Sequence, residues 1–129
     1  MHFYYCKVKR KALWIFSCIN TQSCERHSDN DLCHYVIVRG DLPHGSQVAQ
    51  TIHAVGETSS FIHPEGTIAV ALSARNKEHL LELEDLLTKA DIAHRLIKEC
   101  DGEPMAIGLI PTRDRTRVRK VLSSLPLVK

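Results

Sequence analysis

The chain has 129 residues, enough for one domain of ordinary size. With 43% hydrophobic and 25% charged residues it can build a core, which excludes a wholly disordered chain, and its net charge of +2 is too small to argue for any partner. The distribution of that charge says more. Residues 1–30 carry five Lys/Arg against Glu25 and Asp29, and residues 112–129 carry six basic groups against Asp114 alone. One end of an otherwise near-neutral domain is therefore basic, an asymmetry that suits a phosphate-rich partner.

Of the five cysteines, Cys6, Cys18, Cys24 and Cys33 lie at or before the domain's edge and only Cys100 lies inside it. No disulfide framework can hold such a domain together, so a reducing compartment is expected, with a cytoplasmic location. Lys7–Lys11 followed by the apolar run Ala12–Ile19 has the order of a signal peptide. The run is far short of the roughly 20 residues that cross a bilayer, and no small-x-small cleavage site follows. Residues 1–30 are expected to form a poorly ordered extension and residues 31–129 the folded domain. Cys24-x-x-His27 with Cys33-His34 lacks the paired spacing of zinc motifs, and neither metal nor cofactor is expected.

In chain order, His34–Arg39 is a β-branched and aromatic run that predicts a strand buried on both faces. Gly40–Gly45 predicts a loop, since two glycines and Pro43 interrupt it, and Ser46 suits an N-cap. A helix over 47–58 is expected to bury Val48, Ile52 and Val55. Thr67–Leu72 predicts a second strand, and Asn76 caps a second helix over 77–90 with a stripe of Leu80, Leu83, Leu87 and Ala90. Strands over 93–100 and 105–110 flank a turn at 101–104 and form an antiparallel hairpin. A last helix from Arg113 buries Val118, Val121, Leu122 and Leu125. The order β-α-β-α-β-β-α predicts a three-layer α/β/α fold on a mixed four-stranded sheet.

The chemistry-bearing pattern is on the first helix. Ser46, Gln50, His53 and Glu57 are spaced i, i+4, i+7 and i+11, forming one polar stripe that starts just after the carboxyl end of the first strand. Ligands of open α/β sheets bind in the crevice there. Gly45 lets backbone approach closely, and the helix N-terminus favours an anion. His53 has an imidazole suited to proton transfer near neutrality, and Gln50 can position a water or a carbonyl.

At these residues the sequence resembles the peptidyl-tRNA hydrolase 2 family. Val36-Ile37-Val38-Arg39-Gly40-Asp41-Leu42 matches that family's first strand, Val-x-Val-Arg-x-Asp-Leu. Gly45-Ser46-Gln47-Val48-Ala49-Gln50-Thr51-Ile52-His53-Ala54 matches its first helix, Gly-Lys-x-x-Ala-Gln-x-x-His-Ala. The element order agrees to the C-terminus. The resemblance implies a metal-independent hydrolase that cleaves the ester joining a peptide to the 3′ end of tRNA, on a mixed four-stranded sheet flanked by helices. Gln50, His53, Glu99 and Ser46 then become candidate catalytic residues. Arg39, Asp41, Gly45, Arg113, Arg117 and Lys120 become candidate substrate-binding residues, with tRNA as partner and no membrane.

Three positions depart from the family. Ser46 stands where it has a lysine, the loop before Gly45 is shortened, and its Thr-containing segment after the third strand is missing, with Glu99 at the aspartate position. These departures place the sequence with the divergent "peptidyl-tRNA hydrolase domain-containing" branch. A catalytically weak or inactive tRNA- or peptide-binding module of the same fold is the alternative function, and a protein-interaction domain the third. Arg39 and Asp41 also fit a structural ion pair, and the basic residues of the last helix a solvated face. The oligomeric state is open, a homodimer being one option.

Overall fold

The computed structural model describes residues 31–59 and 63–129, so the expected extension over residues 1–30, with its Cys24 and His27, lies outside the described residues. The elements are β1 (Cys33–Arg39), α1 (His44–Thr58), β2 (Ile68–Ala74), α2 (Lys77–Lys89), β3 (His94–Lys98), β4 (Pro104–Leu109) and α3 (Arg115–Leu122). The sheet order is β2-β1-β4-β3. Strands β1 and β2 run parallel, while β4 is antiparallel to both β1 and β3. The expected mixed four-stranded α/β sheet is therefore the one found, with the hairpin turning at Gly102 in a positive-φ conformation of 85°.

β1 sits in the middle of the sheet and six of its seven residues are buried, as a β-branched run covered on both faces should be. Its alternation sorts the core into two parts. Tyr35 and Ile37 point to the face covered by α2 and α3, where Leu80, Leu83, Leu87, Val118 and Leu122 join them. Val36 and Val38 point to the face covered by α1, where they meet Ala54, Ala106 and Ile97. This alternation also sends Cys33 and His34 to opposite faces, so the two cannot converge on one zinc ion.

Helix α2 follows its sequence pattern closely. Asn76 accepts a hydrogen bond from the His79 N–H at 2.9 Å, and Leu80, Leu83 and Leu87 are buried. Helix α1 departs from it in two ways. It begins at His44 with Pro43 as the N-cap residue, so Ser46 lies inside the first turn and caps nothing. Its buried residues are Gln50, Ala54 and Thr58, whereas Val48 and Ile52 are 49% and 66% exposed.

The reason for this inverted orientation lies on β4. A side chain at Gly108 would approach the Ala54 carbonyl oxygen to 2.8 Å and the Thr58 Cγ2 to 2.7 Å. Helix and sheet meet too closely there for anything larger than Ala54 and Thr58 on the helix side. With that face of the helix against β4, Val48 and Ile52 are turned outward.

Candidate functional site at the carboxyl end of the central strand

β1 and β3 run in the same direction, so their carboxyl ends, the loop 40–43 and the hairpin turn 99–103 meet at one end of the sheet. Arg39, the last residue of β1, organises this end. Its Nε and Nη2 donate to the two Asp41 carboxylate oxygens at 3.0 and 2.8 Å. Its Nη1 donates to Glu103 Oε1 and to the Pro104 carbonyl, both at 3.1 Å. The fork geometry of guanidinium makes the Asp41 contact bidentate, and this ties the loop to the strand. Hydrogen bonding from Arg39 holds the Asp41 carboxyl below its ordinary range and raises the guanidinium's own pKa.

Lys77, the first residue of α2, reaches Glu103 Oε1 at 3.5 Å. From the first turn of α1, the Gln47 amide donates to the Leu42 carbonyl at 2.8 Å. The loop is thus fixed from both sides. Gly40 allows this arrangement because a Cβ there would lie 2.5 Å from Ser73 Oγ and 3.1 Å from the Ala74 carbonyl oxygen.

The most informative contact is between Gln50 and Glu99. Gln50 is only 7% exposed, an unusual setting for an amide, and its Nε2 donates to Glu99 Oε1 at 3.0 Å. Glu99 lies just past β3, at the start of the hairpin turn, where its own N–H donates to the Glu103 carbonyl. Helix α1 and the end of the edge strand are joined here through two side chains that are 49 residues apart in sequence. With Nε2 engaged by the carboxylate, the Gln50 carbonyl oxygen remains as an acceptor, the arrangement needed to orient a water beside a base.

The other stripe residues lie beside this pair on the open side of the helix. Ser46, His53 and Glu57 are exposed, and at about 100° per residue they share an arc of about 60° with Gln50. Glu57 faces Arg95 of β3 at 3.9 Å, a long and solvent-exposed pair. His53 engages no hydrogen-bond partner among the described residues, so nothing there fixes its tautomer. Gly45, in the first turn, has no heavy atom within 4 Å of where a Cβ would stand. The first helical hydrogen bond runs from the Gln47 N–H to the Pro43 carbonyl at 3.0 Å. The N–H groups of His44, Gly45 and Ser46 therefore lack helical acceptors, and an anion can be met there.

The basic residues of the last helix belong to another part of the molecule. Cys33, at the amino end of β1, exchanges backbone hydrogen bonds with Thr112 at 2.8 and 2.9 Å, so α3 starts about 20 Å from Arg39 along the strand. α3 also packs on the face opposite α1. Arg117 donates to the carbonyls of Ala90 and Asp91 at 2.5 and 3.1 Å and so caps the end of α2, the arrangement expected of a cation at a helix C-terminus. Arg113, just before α3, and Lys120, in its last turn, are both exposed. One ligand cannot touch Gln50 and these residues without wrapping around the sheet.

Sequence reasoning missed Glu103, Lys77 and Gln47. The first two are brought to Arg39 only by the β1–β4 pairing and the start of α2. It also missed a buried polar chain on the α1 face. His34 Nε2 lies 2.7 Å from Thr58 Oγ1, and His34 Nδ1 lies 3.0 Å from His63 Nε2. Thr58 donates its hydroxyl proton to the Ala54 carbonyl at 2.7 Å, so its oxygen must accept from His34 Nε2–H. His34 Nδ1 is then the acceptor for His63. Burial, with a smaller contribution from His63, lowers the His34 pKa to about 4.

No family model and no curated protein matches this chain. Among the described residues no helix is long and apolar enough to cross a membrane.

Proposed function

We propose that the domain hydrolyses the ester between a peptide, or an N-blocked amino acid, and the 3′ end of tRNA. The observation that carries this reading is the buried Gln50 amide hydrogen-bonded to Glu99 at the carboxyl end of β1. The two sequence segments that resemble peptidyl-tRNA hydrolase 2 map onto the elements that build this site, β1 with its loop and the first turns of α1. In the proposed reaction Gln50 Oε1 accepts a hydrogen bond from a water, whose oxygen attacks the ester carbonyl carbon. The water's second proton passes to Glu99 or His53. The tetrahedral oxyanion is met by the unpaired N–H groups of the first turn of α1, aided by the Ser46 hydroxyl. Collapse breaks the bond to the ribose oxygen, which takes the proton back and leaves as the free tRNA hydroxyl.

The second reading is a module of the same fold that binds tRNA or peptide without turnover. It is favoured by the absence of an orienting partner for His53 among the described residues and by Ser46 at the lysine position. Hydrolysis of N-acetyl-aminoacyl-tRNA by the full chain separates the two. Gln50→Ala and Glu99→Gln should each reduce kcat about a hundredfold. Cleavage unaffected by both substitutions would remove this site from the reaction. Background release by the wild-type chain, with retained salt-dependent tRNA affinity, would leave the binding module.

A further inference from the structure

A cavity of about 460 Å³ opens on the face opposite the Gln50–Glu99 pair, between β2, α3 and the segment after it. Cavities that enclose small organic ligands typically measure about 300–1,000 Å³. Its floor is the alternating set Ile68, Val70 and Leu72 of β2, with Tyr35 beside them on β1, and its wall is Val118 and Leu122 of α3. Leu125 closes the far side. Among the described residues, Arg115, Arg119 and Ser123 border this apolar space and no carboxylate lines it. Arg119 and Ser123 are exposed and mark the mouth, while Arg115 is half-buried in the wall. The arginine field reaches inside. Burial pushes up both the Cys33 thiol and the Tyr35 phenol, and Arg115 and Arg119 oppose that rise in each case.

An aliphatic chamber whose charged lining among the described residues is two guanidinium groups selects for a ligand with the same division. We propose that this cavity binds a small organic anion with an aliphatic body, its carboxylate held by Arg119 and Arg115 and its chain lying along β2. The neighbouring Arg117 is not part of the site, since it caps α2. The cavity sits on the other face from the proposed hydrolytic site, so it stands or falls independently of that reading. A free fatty acid and the carboxyl terminus of an apolar peptide share the required chemistry.

Calorimetric titration of the full chain with octanoate, octan-1-ol and an N-acetylated dipeptide of two leucines tests the assignment. One octanoate should bind per chain, about tenfold more tightly than octan-1-ol at low salt. Lengthening from hexanoate to octanoate should tighten binding about tenfold. Arg119→Gln should remove the preference for acid over alcohol, and Val70→Trp should abolish both. Methyl NMR of the wild-type chain gives a readout that survives if Val70→Trp fails to fold: octanoate should shift Val70 and Leu122 but not Val36 or Val38. Tighter binding of the blocked dipeptide identifies a peptide terminus as the source, and weaker binding a fatty acid. Absence of saturable acid binding, equal affinity for acid and alcohol, or an acid preference unchanged in Arg119→Gln would each overturn the proposal.

Discussion

On the side of the sheet that carries α2 and α3, leucine and isoleucine side chains pack between the layers and leave one cavity between β2 and α3. On the α1 side Val36, Val38 and Ile97 of the sheet meet Ala54, Thr58 and Gln50 of the helix, with His34 buried among them, while Val48 and Ile52 of the same helix face outward. The first side obtains its stability from area removed from water. The second is a close contact in which each buried polar side chain has a partner: Gln50 with Glu99, and Thr58 with Ala54 and His34. The comparison teaches that one face is built to hold the fold. The other holds polar groups at fixed positions, at the cost of a narrower tolerance for substitution.

Truncation on the aliphatic side should have the largest effect. Leu87→Ala, at a fully buried position, should lower unfolding free energy by about 3 kcal/mol in urea with an unchanged slope. An unaltered midpoint would break the contrast. Next comes a pH dependence carried by His34 on the polar side. The unfolded chain takes up a proton at His34 below the ordinary value of 6.5, whereas the folded chain does so only near pH 4. The His34 contribution is therefore complete above pH 6.5, falls by roughly 3 kcal/mol as pH drops toward 4, and changes no further below that. Denaturant midpoints measured across this window should show the fall in the wild type, and His34→Gln should flatten it.

Gly108→Ala sharpens the comparison from the other direction. Adding one methyl group to β4 should cost about 2 kcal/mol through displacement of α1, where most added methyl groups on a surface cost nothing measurable. The smallest effect should be that of Ile52→Ser, within about 0.5 kcal/mol by the same unfolding assay, because the residue is already two-thirds in water. A loss of several kcal/mol there would mean that Ile52 is covered in solution.

Much of this architecture can be read from residue order. Asn76 followed by leucines at helical spacing gives α2 to within a residue, and the β-branched run of β1 gives a strand buried on both faces. The hairpin follows from Asp101-Gly102 between two apolar runs. The orientation of α1 does not. Periodicity assigns Val48 and Ile52 to the core because they are the most apolar residues at the right spacing. That pattern carries no information about Gly108, 54 positions beyond Ala54, which admits only small residues. Ser46 fails as a cap for a local reason, since Pro43 already supplies the fixed φ that starts a helix. Gln50 and Glu99 were both identifiable as chemically useful, but only the sheet order brings them to 3.0 Å.

The segment after α3 returns to the sheet and adds backbone contacts to β2. Ser73 N–H donates to the Pro126 carbonyl and Val128 N–H to the Ala71 carbonyl, at 2.9 and 3.1 Å, around a Leu72–Leu127 bridge. At the other margin, β3 presents Arg95 and Lys98 and is interrupted by a bulge at Ile97/Lys98. One border is therefore partly occupied by the chain's own tail and the other is charged and kinked. Neither border of the described sheet offers a long flat template to which a foreign strand can add.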